Sequence, residues 1–212
     1  MECLDASREL KFTQLFRDNM SVKEPPIVVQ CTAAEAKKGD YTKISFSPDL
    51  KRFNMTALDK DTVSLLSKRA YDIAGSMAAR HGKKLSVYLN SERLAIKSFQ
   101  DYIDKLDGIN PLVAYEKVGK RWEVGLTYSQ GNVMEHVSFV NAICTSKGGS
   151  HVDYIADQVA SHLVRAVNKK TKGGTGVKPQ QIKNHLCVFV NCLVENPVFD
   201  GQTKVRLNGP AS

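Results

Sequence analysis

Apolar and polar positions along this chain alternate first at the period of strands and later at the period of helices. Residues 9–17, 26–30 and 41–47 are short apolar-rich runs that predict strands; the polar stretch 32–40 reads as a loop and Pro48-Asp49 as a turn. Over residues 59–77 the positions Val63, Leu66, Ala70, Ile73 and Met77 recur at spacings of three and four, which predicts a helix with that stripe as its core face. A hairpin is expected from residues 85–89 and 93–96 around Asn90-Ser91-Glu92, then a short helix over 98–105. The Asp107-Gly108-Ile109-Asn110-Pro111 turn is the best internal boundary.

Beyond that turn, strands are expected over residues 113–117, 121–129 and 136–143, followed by a second strong helix. Ser150 is its candidate N-cap, with Asp153 three residues on as an approximate capping box. Val152, Ile155, Val159, Leu163 and Ala166 line one face, and Lys169, Lys170 and Lys172 crowd the end before Gly173-Gly174. Residues 186–194 are almost unbroken apolar, as in a strand buried on both faces. The C-terminal half thus reads strand, strand, strand, helix, strand: an α/β layer with one long helix crossing the sheet.

Composition narrows the classes. Of 212 residues, 42% are apolar, enough for a core, and the net charge of +8 suits a polyanionic partner. No apolar run approaches the roughly 20 residues of a membrane span, and residues 1–7 lack a signal-peptide pattern. The five cysteines form no C-x-x-C pair and no zinc spacing, so no metal site is expected. Cys144, Cys187 and Cys192 lie in apolar runs and read as buried thiols of a reducing compartment.

Candidate chemistry is concentrated near the C-terminus. The run Asn191-Cys-Leu-Val-Glu-Asn-Pro-Val-Phe-Asp-Gly-Gln-Thr-Lys204 leaves an apolar strand, turns at Pro197 and ends on Gln202, Thr203 and Lys204. An amide, a hydroxyl and an ammonium within three residues form a donor set for a terminal phosphate. From composition alone an exposed turn with a solvated lysine is the favoured reading. Residues 145–151 make a strand, Gly-rich loop and helix start, which could cradle an anion, but a tight chain entry permitted by the glycines is favoured and no ATP is assigned to it. His151, Asp153 and Lys147 gather at one helix end without a nucleophile, so capping and packing are favoured. His81, His136 and His162 are expected at surfaces or strand ends, His185 in a structural hydrogen bond, Trp122 in the core, and residues 80–84 in a solvated loop.

Several segments resemble, in order, the type IIA DNA topoisomerases, and most closely eukaryotic topoisomerase II. They include Asp5-Ala-Ser-Arg-Glu9, Arg69-Ala-Tyr-Asp-Ile-Ala-Gly75, Arg121-Trp-Glu-Val124, Ser138-Phe-Val-Asn141, Thr145-Ser-Lys-Gly-Gly149, His151-Val-Asp-Tyr154, Lys183-Asn-His185 and Glu195-Asn-Pro197. The resemblance runs through essentially the whole chain to Lys204. It implies an α/β (α+β) fold: residues 1–106 as the C-terminal part of a GHKL-type ATPase sandwich, and residues 107–212 as a transducer domain with a left-handed βαβ crossover, an exception to the usual hand.

The resemblance also implies roles. Gln202 and Lys204 match the family's lysine loop and are the expected catalytic pair, with Gln202, Thr203 and Lys204 as the ATP-binding set. Asn168, Lys169, Lys170 and Lys172 match a basic loop that contacts DNA, with helix capping by cations as the competing account. The implied cofactor is ATP with Mg2+, whose metal-binding residues this sequence does not carry, nor does it contain a run like the family's Gly-Arg-Asn-Gly-Tyr-Gly-Ala-Lys lid. The implied partners are double-stranded DNA and a second subunit of a homodimer, with no membrane. The implied compartment is the nucleus, with a mitochondrial or other organellar form left open. The chain is then part of an isomerase, inactive alone, that couples ATP state to gate closure. The alternatives are a truncated stand-alone module that binds DNA or the full enzyme, and a transducer from gyrase or a mismatch-repair protein.

Overall fold

The computed structural model describes residues 1–78, 85–170 and 176–209. The chain divides into two compact units, Met1–Lys60 and Asp61–Ser212.

In the first unit, β1 (Glu2–Asp5), β2 (Leu10–Thr13), β5 (Ile27–Gln30) and β6 (Tyr41–Lys43) form an antiparallel sheet in the order β5-β2-β1-β6, while β3 (Phe16–Arg17) and β4 (Val22–Lys23) make a separate ribbon. Cys3 lies opposite both Phe12 and Thr42. The strand expected over residues 9–17 is split by a break at Gln14-Leu15. The expected loop at 32–40 holds a short helix, α1 (Ala33–Ala36), closed by a Thr32–Glu35 capping box. Four residues are too few for periodicity to register. Leu4 and Cys31 are buried, whereas Ile27, Val28, Val29, Ile44 and Phe46 are exposed within this unit.

The second unit is built on a five-stranded sheet of β9 (Ala114–Val118), β10 (Trp122–Tyr128), β11 (Glu135–Val140), β12 (Ile143–Cys144) and β13 (Leu186–Cys192), in the order β12-β11-β13-β10-β9. Within this sheet β11 and β13 pair in parallel, Val137 opposite Phe189, and the chain between them carries β12, α4 (Ser150–Lys170) and α5 (Pro179–Lys183). β13 is buried at every residue. Leu186, Val188, Val190 and Cys192 pack with Val152 and Ala156 of α4. Cys187 and Phe189 belong to a second core with Phe139, with Ala74 of α2 (Lys60–Met77) and with Phe99, Tyr102 and Ile103 of α3 (Phe99–Ile103). Helices on both faces explain the continuous apolar run of β13. This core draws residues from either side of the Asp107–Pro111 turn.

The core face of α2 differs from the expected stripe. Val63, Leu66 and Ile73 are exposed in the structure, and Asp72, Ala74, Gly75 and Ser76 are buried instead. The cause is the Tyr102 ring, which lies so close that a Cβ on Gly75 would stand 2.4 Å from it. Only small residues admit that contact. Tyr102 stacks on Phe99 and meets Phe139 edge-on, and its hydroxyl donates to Asp72 Oδ1 at 2.8 Å. Burial and that carboxylate hold the Tyr102 phenol well above its ordinary pKa. The small hairpin of β7 (Tyr88–Leu89) and β8 (Glu92–Arg93) turns on Asn90-Ser91, both at positive φ.

Candidate functional site

Residues 198–207 fold back on themselves. Phe199 bridges Leu207, Asp200 N donates to Arg206 O at 3.1 Å and Asn208 N to Val198 O at 2.8 Å. The tip is a tight turn closed by Lys204 N donating to Gly201 O at 3.0 Å, with Lys204 in the left-handed region at φ 57°. The three predicted site residues share this tip: Gln202 and Thr203 are exposed and Lys204 is half-buried. The Lys204 ammonium lies 6.0 Å from the Phe199 ring centroid, and no carboxylate pairs with it among the described residues. The tip thus presents neutral and cationic donors together.

The base of this hairpin is stitched to the Gly-rich loop before α4. Lys147 N donates to Val205 O at 2.9 Å, Leu207 N to Gly148 O at 3.1 Å and Ser150 N to Leu207 O at 3.1 Å. Leu207 is 1% exposed and sits in the α4 core. Gly149 permits the approach. With φ at +132°, a Cβ there would stand 2.2 Å from Leu207 O. Arg206, which the sequence reading passed over, donates to Lys147 O at 3.1 Å and stands 3.7 Å from Asp153 of α4. Ser150 does not cap the helix as expected. The Gly149 carbonyl accepts the first helical N–H groups from Val152 and Asp153, while the Ser150 hydroxyl donates to Gly209 O.

Beneath this junction runs a buried polar chain. His151, fully buried, places Nε2 3.0 Å from Thr145 Oγ1, which lies 2.7 Å from Ser138 Oγ; Ser138 in turn lies 3.4 Å from His136 Nδ1. Burial, then the nearby His136 and Arg206, pushes His151 down to about 4, so it is neutral at physiological pH. Burial also lowers His136, opposed by Asp153 and assisted by Arg206. His151 is therefore a packing residue, and His136 is drawn in against Gly148.

The predicted basic group ends α4. Asn168 is held to Val177 by a pair of bonds: Val177 N donates to Asn168 Oδ1 at 2.8 Å, and Asn168 Nδ2 to Val177 O at 3.3 Å. Lys169 and Lys170 are exposed in the last turn. Lys172 and Gly173-Gly174 lie outside the described residues, as do His81 and residues 80–84. Cys187 and Cys192 are buried and Cys144 is half-buried, all as free thiols. Among the described residues no group of three or more His, Cys, Asp or Glu is placed to hold a metal ion, and no helix is long and apolar enough to cross a membrane.

The sequence profile of the DNA gyrase B family matches residues 86–212. The chain is similar to DNA topoisomerase 2 of Arabidopsis thaliana, 46% identical over 98% of this chain and 14% of that protein. It is also 49% identical to human DNA topoisomerase 2-alpha over 95% of this chain and 13% of that protein. The chain thus spans about a seventh of the length of the curated relatives it matches. Among solved structures, the ATPase and transducer domains of DNA topoisomerase II from Balamuthia mandrillaris superpose with a TM-score of 0.88, at 39% identity over 99% of this chain and 52% of that one. The ATPase region of Saccharomyces cerevisiae topoisomerase II gives 0.84, at 39% identity over 99% of this chain and 51% of that one. The mixed α/β architecture is that of this GHKL-type fold.

Proposed function

The chain belongs to the family of DNA gyrase B and eukaryotic DNA topoisomerase 2, and we propose on that footing that it is the nucleotide-sensing portion of an ATP-dependent type II DNA topoisomerase. Such an enzyme, an isomerase, passes one duplex through a transient double-strand break in another. Residues 1–106 are assigned to the end of its ATP-binding domain and residues 107–212 to its transducer.

The single observation that carries the reading is the tip itself. Gln202, Thr203 and Lys204 stand together on a turn whose base is fixed by backbone hydrogen bonds, with no carboxylate paired to the lysine among the described residues. That donor set fits the terminal phosphate of ATP. Lys204 would hold the phosphate charge and Gln202 would donate to one of its oxygens, each charge-assisted bond contributing about 1.5–3 kcal/mol. These contacts exist before hydrolysis and vanish after phosphate departs, so the anchored hairpin can pass nucleotide state to the sheet and the gate.

Asn168, Lys169, Lys170 and Lys172 are assigned to the phosphates of a DNA duplex without sequence preference. The whole enzyme is proposed to be a homodimer acting in the nucleus. Replacing Lys204 with Ala in the complete enzyme tests the assignment. Nucleotide still binds, though more weakly for want of the Lys204 contact, while ATP hydrolysis and strand passage fall about a hundredfold, the scale for losing one transition-state donor. Hydrolysis at the wild-type rate contradicts it.

A further inference from the structure

The hairpin tip, α2 and the β11–β12 turn enclose a recess of about 380 Å3, within the size range of small-molecule sites. Its lining mixes apolar side chains, Ile73 of α2, Ile143 of β12 and Val205 of the hairpin, with the polar residues Arg69, Asp72, Ser146 and Thr203.

The wall is rigid where it is strained. Asn141 and Ala142 both adopt positive φ, 51° and 66°, and Ala142 lines the recess. An alanine in that region costs about 1 kcal/mol. The turn is held there because the Asn141 side chain donates to Val194 O at 2.9 Å and accepts from Val194 N at 3.0 Å. The recess is therefore preformed.

Its electrostatics favour a single negative charge. Two cations, Lys68 and Arg69, face one carboxylate, Asp72. The Lys68 ammonium lies 2.6 and 2.8 Å from the two Asp72 oxygens, and the Tyr102 hydroxyl adds a third bond at 2.8 Å. Arg69 stands farther off at 3.8 Å and its side chain is 60% exposed. Arg69 therefore lines the recess with donors that Asp72 leaves unsaturated, beside a Cys144 thiol that burial keeps protonated and uncharged.

We propose that this recess binds a small amphipathic carboxylate, with the acid group on Arg69 and the hydroxyls of Ser146 and Thr203, and the apolar body against Ile73, Ile143 and Val205. Because Thr203 belongs to the tip, an occupant braces the hairpin against α2. Binding is measured on the 212-residue chain without nucleotide, so its failure leaves the role proposed for Lys204 untouched.

The test is a two-dimensional amide NMR titration with 4-phenylbutyrate as probe. The expected result is saturable shifts at the amides of Cys144, Ser146 and Thr203. Arg69→Gln, at an exposed position that leaves Lys68 to pair with Asp72, and the uncharged probe 4-phenylbutanol each weaken binding about tenfold, the loss of one charge-assisted pair. Ser146→Trp, whose indole fills the mouth, abolishes binding while the spectrum stays dispersed. The proposal is overturned if the shifts do not saturate, if they map elsewhere, or if Arg69→Gln binds as the parent chain does. It is equally overturned if the alcohol binds as tightly as the acid, or if inorganic phosphate alone does.

Discussion

Replacing Gly149 with alanine should detach the hairpin from the body of the second unit. A Cβ at this position would stand 2.2, 2.6 and 2.9 Å from Leu207 O, N and C. All three are backbone atoms, which cannot step aside as a side chain can. The strand carrying Leu207 must move away, and with it go the bonds from Lys147 to Val205, Leu207 to Gly148 and Ser150 to Leu207. Three backbone bonds at about 1 kcal/mol each, with part of the about 1.5–3 kcal/mol held by the buried Leu207 side chain, put the loss on the order of 4 kcal/mol. The positive φ of Gly149 adds strain in the same direction. Urea denaturation of the chain gives the stability change, and amide hydrogen exchange at Ser150 and Leu207 localises it. Gly201→Ala is the control, because nothing lies within 4 Å of its Cβ; it should change stability by no more than about 0.5 kcal/mol. A loss below about 1 kcal/mol in Gly149→Ala, with exchange unchanged, would refute the stitched base.

Other outcomes follow from the same contacts. His151 is depressed to about 4 in the folded chain, so the unfolded chain binds its proton first as pH falls. The associated stability is complete above about pH 6.5 and drains away towards pH 4, by up to about 3 kcal/mol. Denaturation midpoints of the parent and His151→Gln at pH 7 and 5 measure this, and an identical pH slope in both would sink it. Arg206→Ala should cost about 0.5–1 kcal/mol, because its partner Asp153 is half-exposed; a double-mutant cycle with Asp153→Asn isolates the pair. Asn168→Ala should speed amide exchange at Val177, whose N–H it holds, and unchanged exchange would deny that bond. Replacing Lys169 and Lys170 with Ala in the complete enzyme should lower DNA affinity at every sequence and reduce the salt slope by about 2; an unaltered slope removes them from the interface.

The sequence disclosed long elements best. The 3.6-residue period placed both ends of α2 and the start of α4 within a residue or so, and the apolar run placed β13 on both cores. It misplaced the buried face of α2, because the contact with Tyr102 selects small residues and a hydrophobicity pattern rewards large ones. It missed β12 and α5, which are too short to carry a period. At the site, Gln202, Thr203 and Lys204 were legible as a donor set, and residues 148–149 as a place of close approach. What approaches was not legible: Leu207 lies 58 residues away in sequence from Gly149, and only the fold joins them. Arg206 was passed over for the same reason, since its partners Lys147 and Asp153 belong to a distant turn and helix.

The most direct test of the central claim is the structure of the complete enzyme bound to a non-hydrolysable ATP analogue. The account predicts that the Lys204 ammonium leaves the Phe199 ring, now 6.0 Å away, and sits about 2.8 Å from a terminal phosphate oxygen, with the Gln202 amide donating to another. A terminal phosphate held wholly by other groups, with Lys204 still over Phe199, would contradict it.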